Sequence, residues 1–233
     1  MKWLLTGIAE RLLGKLYTDT NWKDNNEKSF DGLLIRARTV VVFEFKGGFL
    51  TQEVRYSSDS EKFVDDLKLK FGKGGNQLSR DIGQLFPPGK EGRQLLDVAV
   101  PPKVEFVLPI LVVQDAMLRL PFVNYFLNQE FQNARSLSPV RNGIEVLPLK
   151  VIQITSLEGL VEMDDVLGLD IVSTLFRRSR TDPTMLLFLN DFLETIPEMQ
   201  QPHRSARFDK IFEKAEHEMS MLLTGREPGV REG

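Results

Sequence analysis

One stretch constrains the fold of this chain more than any other: Thr39-Val40-Val41-Val42-Phe43-Glu44-Phe45-Lys46-Gly47-Gly48. Its run of β-branched and aromatic residues reads as a buried strand, yet Glu44 and Lys46 stand near its end. Side chains alternate along a strand, so Val40, Val42, Glu44 and Lys46 share one face while Val41, Phe43 and Phe45 share the other. A carboxylate and an ammonium leaving a core side by side are costly unless something uses them. Taken alone, they read as a strand-end ion pair. Gly47 and Gly48 then let the backbone turn sharply or lie close to a ligand.

Just upstream, Asp31-Gly32-Leu33-Leu34-Ile35-Arg36 reads as a second strand, and an antiparallel hairpin is the simplest pairing of the two. A loop symmetric about Ala37 and Arg38 sets residue 31 opposite residue 44. Side chains so opposed stand about 4.5–5.5 Å apart at Cβ. Two carboxylates that close repel, and at neutral pH they need a shared proton or a cation between them. Ala-Arg is not a favoured two-residue turn, and a single bulged residue would upset this register.

At 233 residues the chain can form one large domain or a domain with an appendage. It contains no cysteine, which excludes disulfides, zinc–thiolate sites and cysteine nucleophiles and fits a reducing compartment. A formal net charge of -3 argues against broad nonspecific coating of nucleic acid. The first ninety residues nevertheless carry a small basic excess and the remainder an acidic one. The opening Met1 to Ala9 is like a signal peptide only until Glu10 and Arg11 cut its apolar run short. No apolar run approaches the roughly 20 residues of a membrane helix. The expectation is a soluble cytoplasmic protein with no membrane partner.

Along the chain, residues 3–16 have helical spacing, with Leu5, Ile8, Ala9, Leu12 and Leu16 in one stripe and Glu10 off it. Residues 18–30 read as a polar loop and 49–56 as a third strand. Residues 58–71 read as an amphipathic helix burying Phe63, Val64, Leu67 and Phe71. A loop Gly72-Lys73-Gly74-Gly75-Asn76 then leads to a short helix from Gln77 to Leu85, ended by Pro87-Pro88-Gly89. Residues 89–103 are the best candidate for an internal joint. Val104 to Gln114 reads as a long strand, 121–134 as a helix opened by Pro121, and Ile144 to Thr155 as one or two strands. From Ser156 the pattern is helical, over 156–163, 164–178, 184–196 and 205–223. The fold class expected is α/β, a mixed sheet flanked by helices with a helical C-terminal region. The division expected is a core over 1–115, an extension packed on it over 116–223, and a disordered tail over 224–233.

In chain order the chemically able residues are Glu10, Asp31, Glu44 with Lys46, and Gln77. This pattern resembles the PD-(D/E)XK nuclease superfamily. Its core is a helix, a three-stranded meander, a helix and a further strand, with an acidic residue on one strand and Glu-x-Lys on the next. The matches are Phe30-Asp31-Gly32 and Glu44-Phe45-Lys46-Gly47-Gly48, with Glu10 and Gln77 at the right points in the order, over about residues 1–115. Glu-x-Lys by itself is a weak signal, and Asp66-Leu67-Lys68 is a near decoy in a helical setting. Phe30 stands where the motif nominally has proline. Asp81, not tyrosine, stands four residues after Gln77, so the RecB-type Gln-x-x-x-Tyr motif is missing. The glycine-rich approach to Gln77 and Leu78 is most similar to the NERD-type and related branches.

The resemblance implies a restriction-endonuclease-like core and a metal-dependent endodeoxyribonuclease that cuts DNA, leaving a 5′-phosphate. Asp31 and Glu44 supply hard oxygen ligands suited to Mg²⁺ or Mn²⁺, with the Phe45 backbone carbonyl as a third and Glu10 as a further ligand, directly or through water. Lys46 would stabilise charge on the attacked phosphate or help to orient and deprotonate water, and Gln77 would position water or the DNA backbone. Lys68, Lys70 and Lys73 could meet phosphates, although a solvated helix face is the plainer role for the first two. Small nucleases with appended regions of this kind recur in bacterial defence against phages and plasmids, and the resemblance carries that role over as an expectation, with a protein partner or a homo-oligomer. The alternative is a catalytically inactive nuclease fold serving as a DNA-binding or scaffold subunit of a larger complex.

Other motifs are poor. Gly72-Lys73-Gly74-Gly75 lacks the Walker A frame, His203 and His217 make no metal or triad pattern, and no Gly-x-Ser-x-Gly elbow exists. Arg177-Arg178-Ser179-Arg180 reads as a solvated helix end.

Overall fold

The structure, a computed structural model, describes residues 15–57, 59–115, 118 and 121–157. By its contacts the chain divides into two compact units, residues 1–190 and 191–233, and every described residue belongs to the first. The expected N-terminal helix up to residue 14, Glu10 with it, and the helices expected beyond residue 157 lie outside the described residues.

The strand rich in valine and phenylalanine forms β3, Thr39–Lys46, buried along six central residues. It pairs antiparallel with β2, Gly32–Arg36, which pairs antiparallel with β1, Lys15–Thr18. On its other edge β3 pairs in parallel with β4, Phe106–Val113, along its whole length. β5, Glu145–Val146, and β6, Lys150–Gln153, both run parallel to β4 and complete a six-stranded mixed sheet. A β3 buried on both faces explains why it reads as a continuous apolar run rather than an alternation.

The helices are α1, Gln52–Tyr56; α2, Ser60–Leu67; α3, Lys73–Leu85; and α4, Pro121–Leu137. A π-helical stretch, Lys68–Gly72, joins α2 to α3, and the junction residues Leu67, Lys68, Gly72 and Lys73 all keep right-handed helical angles. The chain from Ser60 to Leu85 is therefore one helical rod. α3 lies on β3 and β4, and α4 packs beside it and against β6. Leu67, Phe71, Leu78 and Ile82 meet Leu33, Val40, Val42, Val107 and Leu111 in one core with Leu127, Phe131 and Leu149. No helix among the described residues is long and apolar enough to cross a membrane.

Three local expectations are corrected. Leu16, assigned to the N-terminal helical stripe, lies in β1, so the meander is β1-β2-β3 and starts earlier than expected. Residues 49–56 are not its third strand: Thr51 caps α1 by accepting the Val54 N–H, and Glu53 and Arg55 suit the two ends of the helix dipole. The glycine run 72–76 is not a loop. Gly74 and Gly75 continue the buried stripe of the rod, and at Gly74 the neighbours leave no room for a side chain. A Cβ at Gly74 would stand 2.7 Å from Leu111 Cδ1, and one at Gly75 would stand 3.6 Å from Phe131 Cβ.

The β2–β3 turn carries visible strain. Ala37 has φ 48°, a left-handed conformation that costs a non-glycine residue about 1 kcal/mol. Ala37→Gly should raise stability by up to roughly that amount, partly offset by unfolded-state entropy. Thermal melts of the two proteins check this.

Candidate active site at the end of strand β3

The hairpin register runs from Arg36↔Thr39 to Gly32↔Phe43, so the next pair outward is Asp31 with Glu44, the pairing a symmetric two-residue loop requires. The Phe45 N–H donates to Asp31 Oδ2 at 2.7 Å. That N–H therefore points towards the β2 edge, and the Phe45 carbonyl shares its direction because both groups of one strand residue face one neighbour. Residues 31 and 44 then form a pair without ladder hydrogen bonds, the geometry in which opposed side chains approach most closely.

Glu44 is 3% exposed. Its Oε1 accepts from Lys46 Nζ at 2.6 Å, while Oε2 is buried with no hydrogen-bond partner. Burial pushes the Glu44 carboxyl up to about 7, and the Asp31 charge adds to this against the lowering effects of Lys46 and Lys28. Desolvation outweighs the ion pair because only one oxygen is compensated. Lys28 lies on the loop between β1 and β2, its Nζ 2.5 Å from Asp31 Oδ1 and 3.6 Å from Asp19 Oδ1.

Lys46 reaches the site across α3. A Cβ at Gly74 would come within 2.9 Å of Lys46 Cε as well as crowding Leu111, so the missing side chain makes the channel for the lysine stem. Gly74→Ala should displace that stem. We expect a modest stability loss of about 1–2 kcal/mol and a disproportionate loss of any activity that uses Lys46, read by melting and by rate on one preparation.

Gln77, one turn beyond Gly74, donates from Nε2 to the Ser29 carbonyl at 3.3 Å, and so holds the loop that delivers Asp31. Phe30 is fully buried, and its N–H donates to Thr20 Oγ1 at 3.0 Å, a bond a proline could not make. Thr20 Oγ1 in turn donates to the Phe30 carbonyl at 2.9 Å. The structure thus gathers Asp31, Glu44 and Lys46 at one strand end, with the Phe45 backbone and Gln77 beside them. Glu10 lies outside the described residues. Lys28 and Gly74 belong to the same cluster; no motif announces Lys28, and only its place on the helical stripe of Leu67, Phe71 and Leu78 announces Gly74.

Neighbouring polar groups have structural work. Asp115 is fully buried and accepts from the Leu50 N–H and from Arg55 Nη2, each at 2.7 Å, tying the segment after β3 to the end of β4. Asp81 is buried with Oδ1 accepting from Arg80 Nε and with Oδ2 unpartnered, and burial pushes its carboxyl up. In the decoy, Asp66 accepts the Thr51 N–H and pairs with Lys70. Lys68 lies 3.7 Å from Glu130 and over the Phe126 ring. Both lysines are engaged on the helix surface.

The donor set that could hold a metal is Asp31, Glu44 and the Phe45 carbonyl. The observation that fits one is Glu44 Oε2, a buried acceptor without a donor that stands opposite a second carboxylate, Asp31. Hard oxygens alone suit Mg²⁺ or Mn²⁺. Among the described residues, no group of three or more histidine, cysteine, aspartate or glutamate side chains is gathered to hold a metal. No family model, no curated protein and no solved structure matches the chain.

Proposed function

We propose that this chain is a divalent-metal-dependent nuclease of the PD-(D/E)XK superfamily that hydrolyses phosphodiester bonds of DNA and leaves a 5′-phosphate. One observation carries the reading. A buried Glu44 with an unpartnered oxygen faces Asp31 at a strand end where Lys46 also emerges. The order of elements supports it: an antiparallel meander β1-β2-β3, a helical rod, then β4 parallel to β3. A role in defence against phages or plasmids, with a protein partner, rests on the resemblance alone.

Asp31, Glu44 and the Phe45 carbonyl would hold Mg²⁺ or Mn²⁺, which supplies charge against the phosphate and acidifies bound water. The chain's own residues do the rest. The Phe45 N–H fixes the rotation of the Asp31 carboxylate. The Lys46 side chain is one-quarter exposed, so its ammonium can turn from Glu44 Oε1 to an attacked phosphate and neutralise charge that grows on its oxygens. Gln77 positions Asp31 through Ser29. The open space beside Gly48, where a Cβ meets nothing within 4 Å, leaves the strand end accessible to a bulky substrate.

The non-catalytic scaffold reading is favoured by one observation: the 2.6 Å contact of Lys46 with Glu44 closes a pair without needing a metal. Supercoiled plasmid and single-stranded DNA incubated with the full chain and Mg²⁺ separate the two. Cutting that chelation stops, and that Glu44→Ala and Lys46→Ala lack, supports the nuclease. Binding that survives chelation and both substitutions, without cutting, supports the scaffold.

A further inference from the structure

Lys28 is a second cation at the carboxylate pair, and no motif accounts for it. Its backbone is held by the loop while its side chain is half-exposed. Lys28 sits on an isolated bridge to Asn21, in a loop pinned by Asp19 N–H to the Asp31 carbonyl at 2.9 Å and by Ser29 N–H to the Thr20 carbonyl at 2.8 Å. The side chain is 55% exposed, and its ammonium stands between two carboxylates, 2.5 Å from Asp31 and 3.6 Å from Asp19. Asp31 is 11% exposed at its side chain and Asp19 is 64% exposed. The inner partner belongs to the candidate metal site, and the outer one lies in solvent.

We infer that Lys28 is a resident competitor for the divalent cation: its ammonium neutralises Asp31 when the site holds no metal and moves to Asp19 when a metal takes Asp31. This rests on the reading of Asp31 and Glu44 as metal ligands. An ammonium on Asp31 Oδ1 relieves the repulsion between opposed carboxylates, as a metal would. Two cations on one carboxylate oxygen repel each other, so a metal bound at Asp31 Oδ1 weakens the hold of the ammonium there. Asp19 is already within ion-pair range, so the exchange needs only side-chain rotation. Lys28 is thus a positioning residue, and it sets the metal concentration at which the site fills.

The test is Mn²⁺ binding to the full chain, followed by calorimetry and by the Mn²⁺ electron paramagnetic resonance signal, without DNA. Removing an exposed competing ion pair in Lys28→Met should tighten Mn²⁺ binding roughly fivefold. Lys28→Arg should restore the wild-type affinity. Asp19→Asn should weaken binding in the wild-type background and much less in Lys28→Met. Lys28→Met should also melt lower than wild type without metal and level with it at saturating Mn²⁺, whereas a purely structural role would lower both. Unchanged or weaker binding by Lys28→Met, with wild-type binding abolished by Asp31→Asn, overturns the competitor and leaves the metal site standing. Binding seen only in Lys28→Met supports the competitor in its strongest form. No Mn²⁺ bound by either protein overturns both the competitor and the metal-site reading.

Discussion

On the proposed nuclease reading, replacing Lys46 by alanine should lower Mg²⁺-dependent DNA cleavage by about a hundred- to a thousandfold, the loss typical of removing one charge-stabilising donor from a transition state. The loss should fall on kcat more than on KM, because the ammonium is held by Glu44 in the ground state and is needed where phosphate charge grows. The fold should persist. Lys46 is partly exposed, and a Glu44 left without its ammonium takes up a proton rather than remaining a bare buried anion. Single-turnover cleavage with wild type, Lys46→Ala and Lys46→Arg checks this. Arginine keeps the charge but brings a larger head group into the channel beside Gly74, so its rescue should be partial. Wild-type rates in Lys46→Ala would remove the lysine from the mechanism.

The second large effect is a pH dependence of the metal-free fold. Glu44 titrates at about 7 in the folded chain against an ordinary value of 4.5. Between those values the native state holds a proton that the unfolded chain has shed, so stability falls as pH rises through this window. A shift of that size corresponds to about 3 kcal/mol lost from acid to alkaline conditions. Glu44→Gln keeps the shape and removes the charge. Without metal at pH 8 it should therefore be more stable than wild type, by about 1–3 kcal/mol or on the order of 5 °C in Tm. Below pH 4.5 the two should converge. Denaturant curves for both proteins across pH 4 to 9 measure the difference directly and cancel the titrating groups that do not interact with Glu44. A Glu44→Gln protein that is less stable at pH 8 would mean the ion pair with Lys46 stabilises the fold in its own right.

The pairing of Asp31 with Glu44 was legible because it needs only the period of a strand and the symmetry of a two-residue loop. Ala37 accepts a left-handed φ to keep that loop. The buried rod was legible in its apolar positions, since Leu67, Phe71, Leu78, Ile82 and Leu85 lie on one helical stripe. Its continuity was not, because Gly74 and Gly75 look like chain breakers. They fill the missing steps of the same stripe, and that spacing is the signal that would have identified them as buried helix residues, with Gly74 at a close approach. Residues 49–56 read as a strand because Val54 and Tyr56 alternate as strand residues do, while the Thr51 cap and the charges at the ends decide for a helix. Lys28 could not be found from the chain alone. Its role depends on where an exposed side chain turns, and local sequence does not fix that.

On the proposed reading, Asp31 and Glu44 hold a divalent cation. Crystals soaked in Mn²⁺ and measured for anomalous scattering test it most directly. The expected result is a peak between the two carboxylates and the Phe45 carbonyl, with the Glu44 Oε2 among its ligands. At saturating Mn²⁺, no peak there and Lys46 still closed on Glu44 would contradict it.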